Sequence, residues 1–318
     1  MTHHSHQSYS FIGAGAVIVL CIIAFSTAHS AQTQKRSVAV TFDDLPATHG
    51  DLVKYEYVTA NLLARLKAEE VPAIGFVNES KLFVLGEIDR RTALLGKWLD
   101  AGHDLGNHSF SHIAIDRATF EEYTADVIRG ETVTRMLAEA KGKRLRYYRH
   151  TQLRTGPTEE FRKRLNDFLT ARGYTVAPVT VDNNEYLYAL AYANAKAKGD
   201  EVMMDRIVGS YVDYMEGIFT HFETISRSLL GYEVSQTLLL HANELNADHF
   251  DKLAAMLHRR GYIFVTLDEA LKDPAYKLPE APSRRGLSWL HRWTLAKGRP
   301  IDEEPSEPDW IRQAARRQ

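Results

Sequence analysis

From residue 37 onward, short runs rich in β-branched and aromatic residues alternate with longer stretches whose apolar residues recur at three and four. That alternation builds a parallel sheet covered by helices, an α/β fold. Seven runs have strand character, over 38–42, 73–77, 104–107, 145–148, 175–181, 237–240 and 262–265, and the stretches 55–70, 87–101, 119–140, 158–172 and 247–260 have helical character. Two helix starts are marked. Thr119 with Glu122 forms a capping box, and Thr158 is followed by Glu159 and Glu160, where negative charge suits the helix dipole.

Between the fifth and sixth runs about fifty residues hold no strand pattern. Met204, Ile207, Val208, Tyr211, Met215, Ile218, Phe219, Phe222, Ile225 and Leu229 instead line one helix face. Two readings are open for this helical insertion: a long helix packed on the body of the domain, or a cover that narrows a substrate cleft. Beyond residue 273 the composition turns to Pro, Arg and Glu, which reads as a C-terminal tail over 273–318, wrapped on the domain or in part disordered. Trp289, Trp293 and Trp310 lie there. They are expected to pack on the surface rather than to stack on a sugar or touch a membrane.

The first thirty residues differ in kind. An unbroken apolar run from Phe11 to Phe25 is followed by Ser26, Thr27, Ala28, His29 and Ser30, which reads as a signal peptide over 1–30. As a helix the run spans about 22 Å at ~1.5 Å per residue, short of the ~30 Å hydrocarbon core. The expectation is therefore export to the periplasm or the medium, with no stable membrane span after processing; an uncleaved N-terminal anchor is the alternative. The leading residues depart from the usual signal in having His3, His4 and His6 but no Lys or Arg.

A net charge of -2 with 25% charged residues lacks the basic excess that marks a nucleic acid partner. Cys21 is the only cysteine, which excludes an internal disulfide and a cysteine-based zinc site, so a metal here has to sit on His and carboxylates.

In parallel α/β folds, side chains at the carboxyl ends of strands converge on one site. The first run ends in Asp43 and Asp44. Neighbouring strand residues point opposite ways, so the two cannot serve one atom unless the chain turns there. The third run leads into His108-Ser109-Phe110-Ser111-His112. Two His four apart can reach one metal from a single helical turn, and with Asp44 they leave a coordination position open, as in a catalytic zinc site. Alone, the pair is weak in a chain with 14 histidines. Arg149 and His150 close the fourth run, Asp182 to Glu185 and then Tyr186 the fifth, and His241 the sixth.

Five such motifs, in this order and at strand ends, resemble the polysaccharide deacetylases, the NodB homology domain of carbohydrate esterase family four, over a domain of residues 37–272. The resemblance implies a distorted (β/α) barrel of about seven strands. It also implies a metal-dependent hydrolase that removes acetyl groups from N-acetylated amino sugars of a glycan. Asp43 would be the base and His241 the acid. Asp44, His108 and His112 would hold a divalent metal, zinc on ligand type, with cobalt, nickel or manganese as alternatives. Arg149 would hold Asp43, and Glu185 would orient His241. Two positions depart from the family pattern: Thr151 stands where a proline is usual, and Glu185-Tyr186 where Asp-Trp is frequent. They bear on the groove wall rather than on the metal or the base. The competing readings are a related barrel hydrolase acting on a formyl, ureide or cyclic amide, and a non-catalytic glycan-binding envelope protein.

Overall fold

In the computed structural model residues 1–8, 10 and 36–316 are described; the apolar run and the expected cleavage region near residue 30 lie outside the described residues. The strands are β1 (Arg36–Leu45), β2 (Ala73–Val77), β3 (Asp104–Asn107), β4 (Tyr147–Tyr148), β5 (Thr175–Val176), β6 (Gln236–His241) and β7 (Tyr262–Phe264). The first five helices are α1 (Leu52–Ala68), α2 (Ile88–Asp100), α3 (Phe120–Arg129), α4 (Thr132–Ala140) and α5 (Glu159–Ala171). They are followed by α6 (Glu185–Ala197), α7 (Glu201–Leu230), α8 (Glu244–Arg259), α9 (Leu267–Ala270), α10 (Trp289–Ala296) and α11 (Asp309–Ala315).

All strand pairs are parallel, in the order β5-β4-β3-β2-β1-β6, with β7 on the first residues of β1. Helices cover the sheet, which is why β1 and β2 read as nearly continuous buried runs. The sheet curls. Beyond β5 the chain crosses to the far edge, where Val181 N–H donates to Thr237 O at 3.0 Å and Leu239 N–H donates to Val181 O at 3.2 Å. The result is a curled, open parallel sheet, the distorted barrel expected.

That crossing explains why the fifth run is a strand only over Thr175–Val176: Ala177 N–H still donates to Tyr148 O at 2.8 Å, and four residues later the same run serves β6. The fourth run likewise pairs only over Tyr147–Tyr148 before turning into the site. The helical stretch 119–140 is two helices. It breaks at Gly130, where an added Cβ would stand 2.5 Å from the Phe110 amide nitrogen, so the chain bends to let the loop after β3 approach. The capping box is present as read, with Thr119 accepting from Glu122 N–H at 3.2 Å and Glu122 accepting from Thr119 N–H at 2.8 Å.

The insertion forms α6 and α7. The face of α7 is buried at Ile207, Tyr211, Met215, Ile218, Phe219 and Phe222, which is the packed reading. The tail is wrapped on the domain: Trp289, Leu290, Trp293 and Ile311 are buried, and Trp310 lies under the Arg206 guanidinium at 4.1 Å. Among the described residues no helix is long and apolar enough to cross a membrane.

Candidate metal centre and catalytic pocket

Both carboxylates of β1 reach one pocket because the strand breaks its alternation. The register with β2 shifts between Phe42 and Leu45, and Asp44 adopts φ 70°, in the left-handed region that Asp and Asn tolerate better than most residues. The loop after β3 turns in the same way, with Ser109 at φ 64° and His112 at φ 56°. It is held from α3, where Asp126 accepts from Ser111 N–H at 3.0 Å and from Ser111 Oγ at 2.9 Å. Asn78, just past β2, donates to His108 O at 2.7 Å.

These turns bring Asp44, His108 and His112 together. One ligand atom from each lies within 4.8 Å of the other two, the only such group of three or more among the described residues. Asp44 Oδ1 is 3.9 Å from His108 Nε2 and 3.8 Å from His112 Nε2, and it has no hydrogen-bond partner although buried. Those separations are too long for hydrogen bonds and short enough for one ion with bonds near ~2.0–2.1 Å.

Protonation agrees with the geometry. His108 Nδ1 lies 2.9 Å from Arg149 O, a carbonyl that can only accept, so Nδ1 carries the proton and Nε2 offers its lone pair. Burial lowers the pKa of His108 to about 4, and burial followed by the neighbouring His108 does the same for His112, so both rings are neutral near pH 7. Burial works upward on Asp44, yet Lys81 and the surrounding imidazoles hold it well below the usual carboxylate range. The donor set fits a divalent cation.

Asp43 and His241 are register partners at the ends of β1 and β6. Asp43 is buried; its Oδ2 lies 3.6 Å from His108 Nε2 and 3.8 Å from Arg149 Nη1, and its Oδ1 has no hydrogen-bond partner. Burial raises the Asp43 pKa against the lowering pull of Arg149. Arg149 is itself fully buried, with Nη2 donating to Thr41 Oγ1 at 2.9 Å and its guanidinium 4.6 Å from the Phe76 ring centre. His241 Nδ1 is 2.8 Å from Glu185 Oε2. Burial works against the imidazolium, but Glu185 dominates through its hydrogen bond and charge, and the pKa stands at about 9.

The sequence reading thus finds all seven expected residues around one pocket of about 470 Å³, five of them lining it directly and Arg149 and Glu185 behind Asp43 and His241. Other residues went unread. Lys81 donates to Asp44 O at 2.8 Å; Asn243 and Asn246 both donate to Glu185 Oε1, the latter at 2.7 Å. Asn243 is also the cap of α8, accepting from Asn246 N–H at 3.0 Å, so its sequence signal reads as a helix start. The pocket wall takes in Gln152, Leu153, Asp182, Asn184, Tyr186, Leu190 and, from the tail, Gly286. Burial and then Glu304 push the Asp182 carboxyl up to about 7.

The chain thus presents a curled parallel sheet with an Asp-His-His cluster able to hold a metal at its carboxyl end, flanked by a second aspartate and a glutamate-held histidine. The family model "Polysaccharide deacetylase" matches residues 30–174, somewhat less than half of the chain. The peptidoglycan-N-acetylglucosamine deacetylase of Bacillus cereus is 31% identical over 115 residues, which are 36% of this chain and 36% of the relative, so the match spans about a third of that protein's length. Among solved structures, the peptidoglycan deacetylase PdaC from Bacillus subtilis is 22% identical with a TM-score of 0.46, over 76% of this chain and 93% of that one. A family 4 carbohydrate esterase from Streptomyces lividans, in complex with acetate, is 19% identical with a TM-score of 0.46, over 74% and 95%.

Proposed function

We propose that the protein is an exported, periplasmic or secreted, metal-dependent deacetylase that cleaves the acetamido group of an N-acetylated amino sugar in a glycan. One observation carries the reading: Asp43 and His241 stand beside each other at the rim of the Asp44-His108-His112 cluster, one ready to take a proton and the other to give one.

A divalent ion held by Asp44, His108 and His112 would supply Lewis acidity, activating water and polarising the acetyl carbonyl. Neutral imidazoles and a carboxylate favour zinc, with cobalt, nickel or manganese as working substitutes. Asp43 accepts the proton of the attacking water; burial raises its pKa and makes it a stronger base than an exposed aspartate, while Arg149 favours its ionised form. His241 is an imidazolium at neutral pH, and with Nδ1 held by Glu185 the Nε2–H is the proton available to the leaving amine nitrogen. Without that proton the amine would have to depart as an amide anion. The export reading is supported by the apolar run over 11–25.

Acetate release from acetylated glycans, with the protein chelated and then remetallated, tests the reading. Positioned proton transfer contributes roughly a hundred- to ten-thousandfold. Asp43→Asn should therefore keep its metal and lose turnover by about that factor. Near-native acetate release from Asp43→Asn would remove the base from the scheme, and formate or ammonia in place of acetate would identify a different amide as substrate.

A further inference from the structure

Residues 286–292 lie beyond the stretch over which the family motifs occur, yet they touch both walls of the pocket. On one side, Trp289 N–H donates to Val179 O at 2.7 Å and Ser288 Oγ donates to Thr180 O at 2.7 Å, just before Asp182 enters the pocket. On the other, Arg292 Nη2 donates to Leu153 O at 2.7 Å and Nη1 to Thr155 Oγ1 at 3.0 Å, holding the turn that follows Arg149. Gly286 lies on the pocket surface between them, so close to that turn that an added Cβ would stand 2.1 Å from Gln152 O.

The turn being held needs holding. Gln152 and Leu153 both line the pocket with left-handed backbones, at φ 55° and 52°, a conformation that costs free energy in residues with a Cβ and persists only when its surroundings impose it. Arg292 is fully buried and its hydrogen bonds run to neutral acceptors, Leu153 O, Thr155 Oγ1, Ala281 O and Arg285 O. A buried guanidinium without a carboxylate in its hydrogen-bond set is a costly way to fill space, and a well-used way to fix carbonyls.

We propose that residues 286–292 are a staple that completes the substrate pocket, with Arg292 as a positioning residue that fixes the 151–155 turn and Gly286 as the point where the staple sets the pocket's width. The consequence for substrate rests on the deacetylase reading; the consequence for the turn does not.

The test compares wild type, Arg292→Met and Gly286→Ala, each metal-loaded, by hydrogen exchange, metal content, and the KM and kcat for acetate release from an N-acetylated chito-oligosaccharide. In Arg292→Met, amides of 150–156 should exchange at least tenfold faster while β1 and β3 keep their protection and the metal stays bound, since its ligands follow those two strands. KM should rise several-fold, with a smaller fall in kcat. Gly286→Ala keeps the buried arginine and answers the question if Arg292→Met does not fold: its methyl has to displace the Gln152 carbonyl, so KM should rise with metal content unchanged. Unchanged exchange in 150–156 and unchanged KM in a folded variant would overturn the staple. Altered exchange in a protein whose wild type releases no acetate would leave the staple standing and sink the deacetylase reading.

Discussion

At the scale of single residues, the site works by separating the charge states of chemically similar groups. Among the histidines of the pocket, His108 and His112 are driven to neutrality by burial while His241 is kept charged by Glu185. Two adjacent aspartates divide likewise, Asp44 held low and Asp43 raised. The role of Glu185 gives a prediction with a definite sign. Glu185 raises the pKa of His241, so Glu185→Gln lowers it, and the acid is then lost at a lower pH. The alkaline limb of kcat/KM should move to lower pH while the acid limb stays near its wild-type position; a profile in which the alkaline limb keeps its place would deny Glu185 this part.

At the scale of elements, the proposed metal ligands are positioned by turns that helices hold. The clearest case is Asp126 of α3, whose carboxylate accepts from both the N–H and the Oγ of Ser111, the residue just before His112. Asp126→Ala should weaken the metal by about ten- to a hundredfold, as loss of a group supporting a ligand usually does, measured by competition with a chelator. Periodicity and strand-end chemistry made β2, β3 and the capped start of α3 readable to the residue, because each is decided locally. What remained unread is decided by contacts between distant segments. Gly130 breaks a helix because another loop needs the space, and the run 175–181 divides between two strands because it crosses an opening in the sheet. Arg292 carries no signal of its own, since nothing near it in the sequence shows that Leu153 and Thr155 surround it.

At the scale of the whole molecule, buried ionisable groups tie stability to pH. His150 is 1% exposed, its Nδ1 has no partner, and burial brings its pKa from 6.5 to about 3. A folded-state pKa below the unfolded one means that the unfolded chain binds the proton first. The stabilising contribution of neutral His150 is complete above pH 6.5 and is lost as pH falls from there toward 3, by up to about 1.4 kcal/mol per pH unit. Urea midpoints between pH 7.5 and pH 5 should therefore fall less steeply in His150→Phe than in wild type; equal slopes would place the acid sensitivity elsewhere. The topology carries a further consequence, for synthesis rather than catalysis. β1 brings both aspartates but pairs with β6 about 200 residues later, with Thr41 Oγ1 donating to Leu238 O across the gap. A growing chain has to keep its earliest strand half-unpartnered until nearly the whole domain has been made, the kind of distant closure that folds late and exposes sticky edges meanwhile. A fragment stopped at residue 230 should bind a dye for exposed apolar surface and hold no metal, although every ligand is already in it.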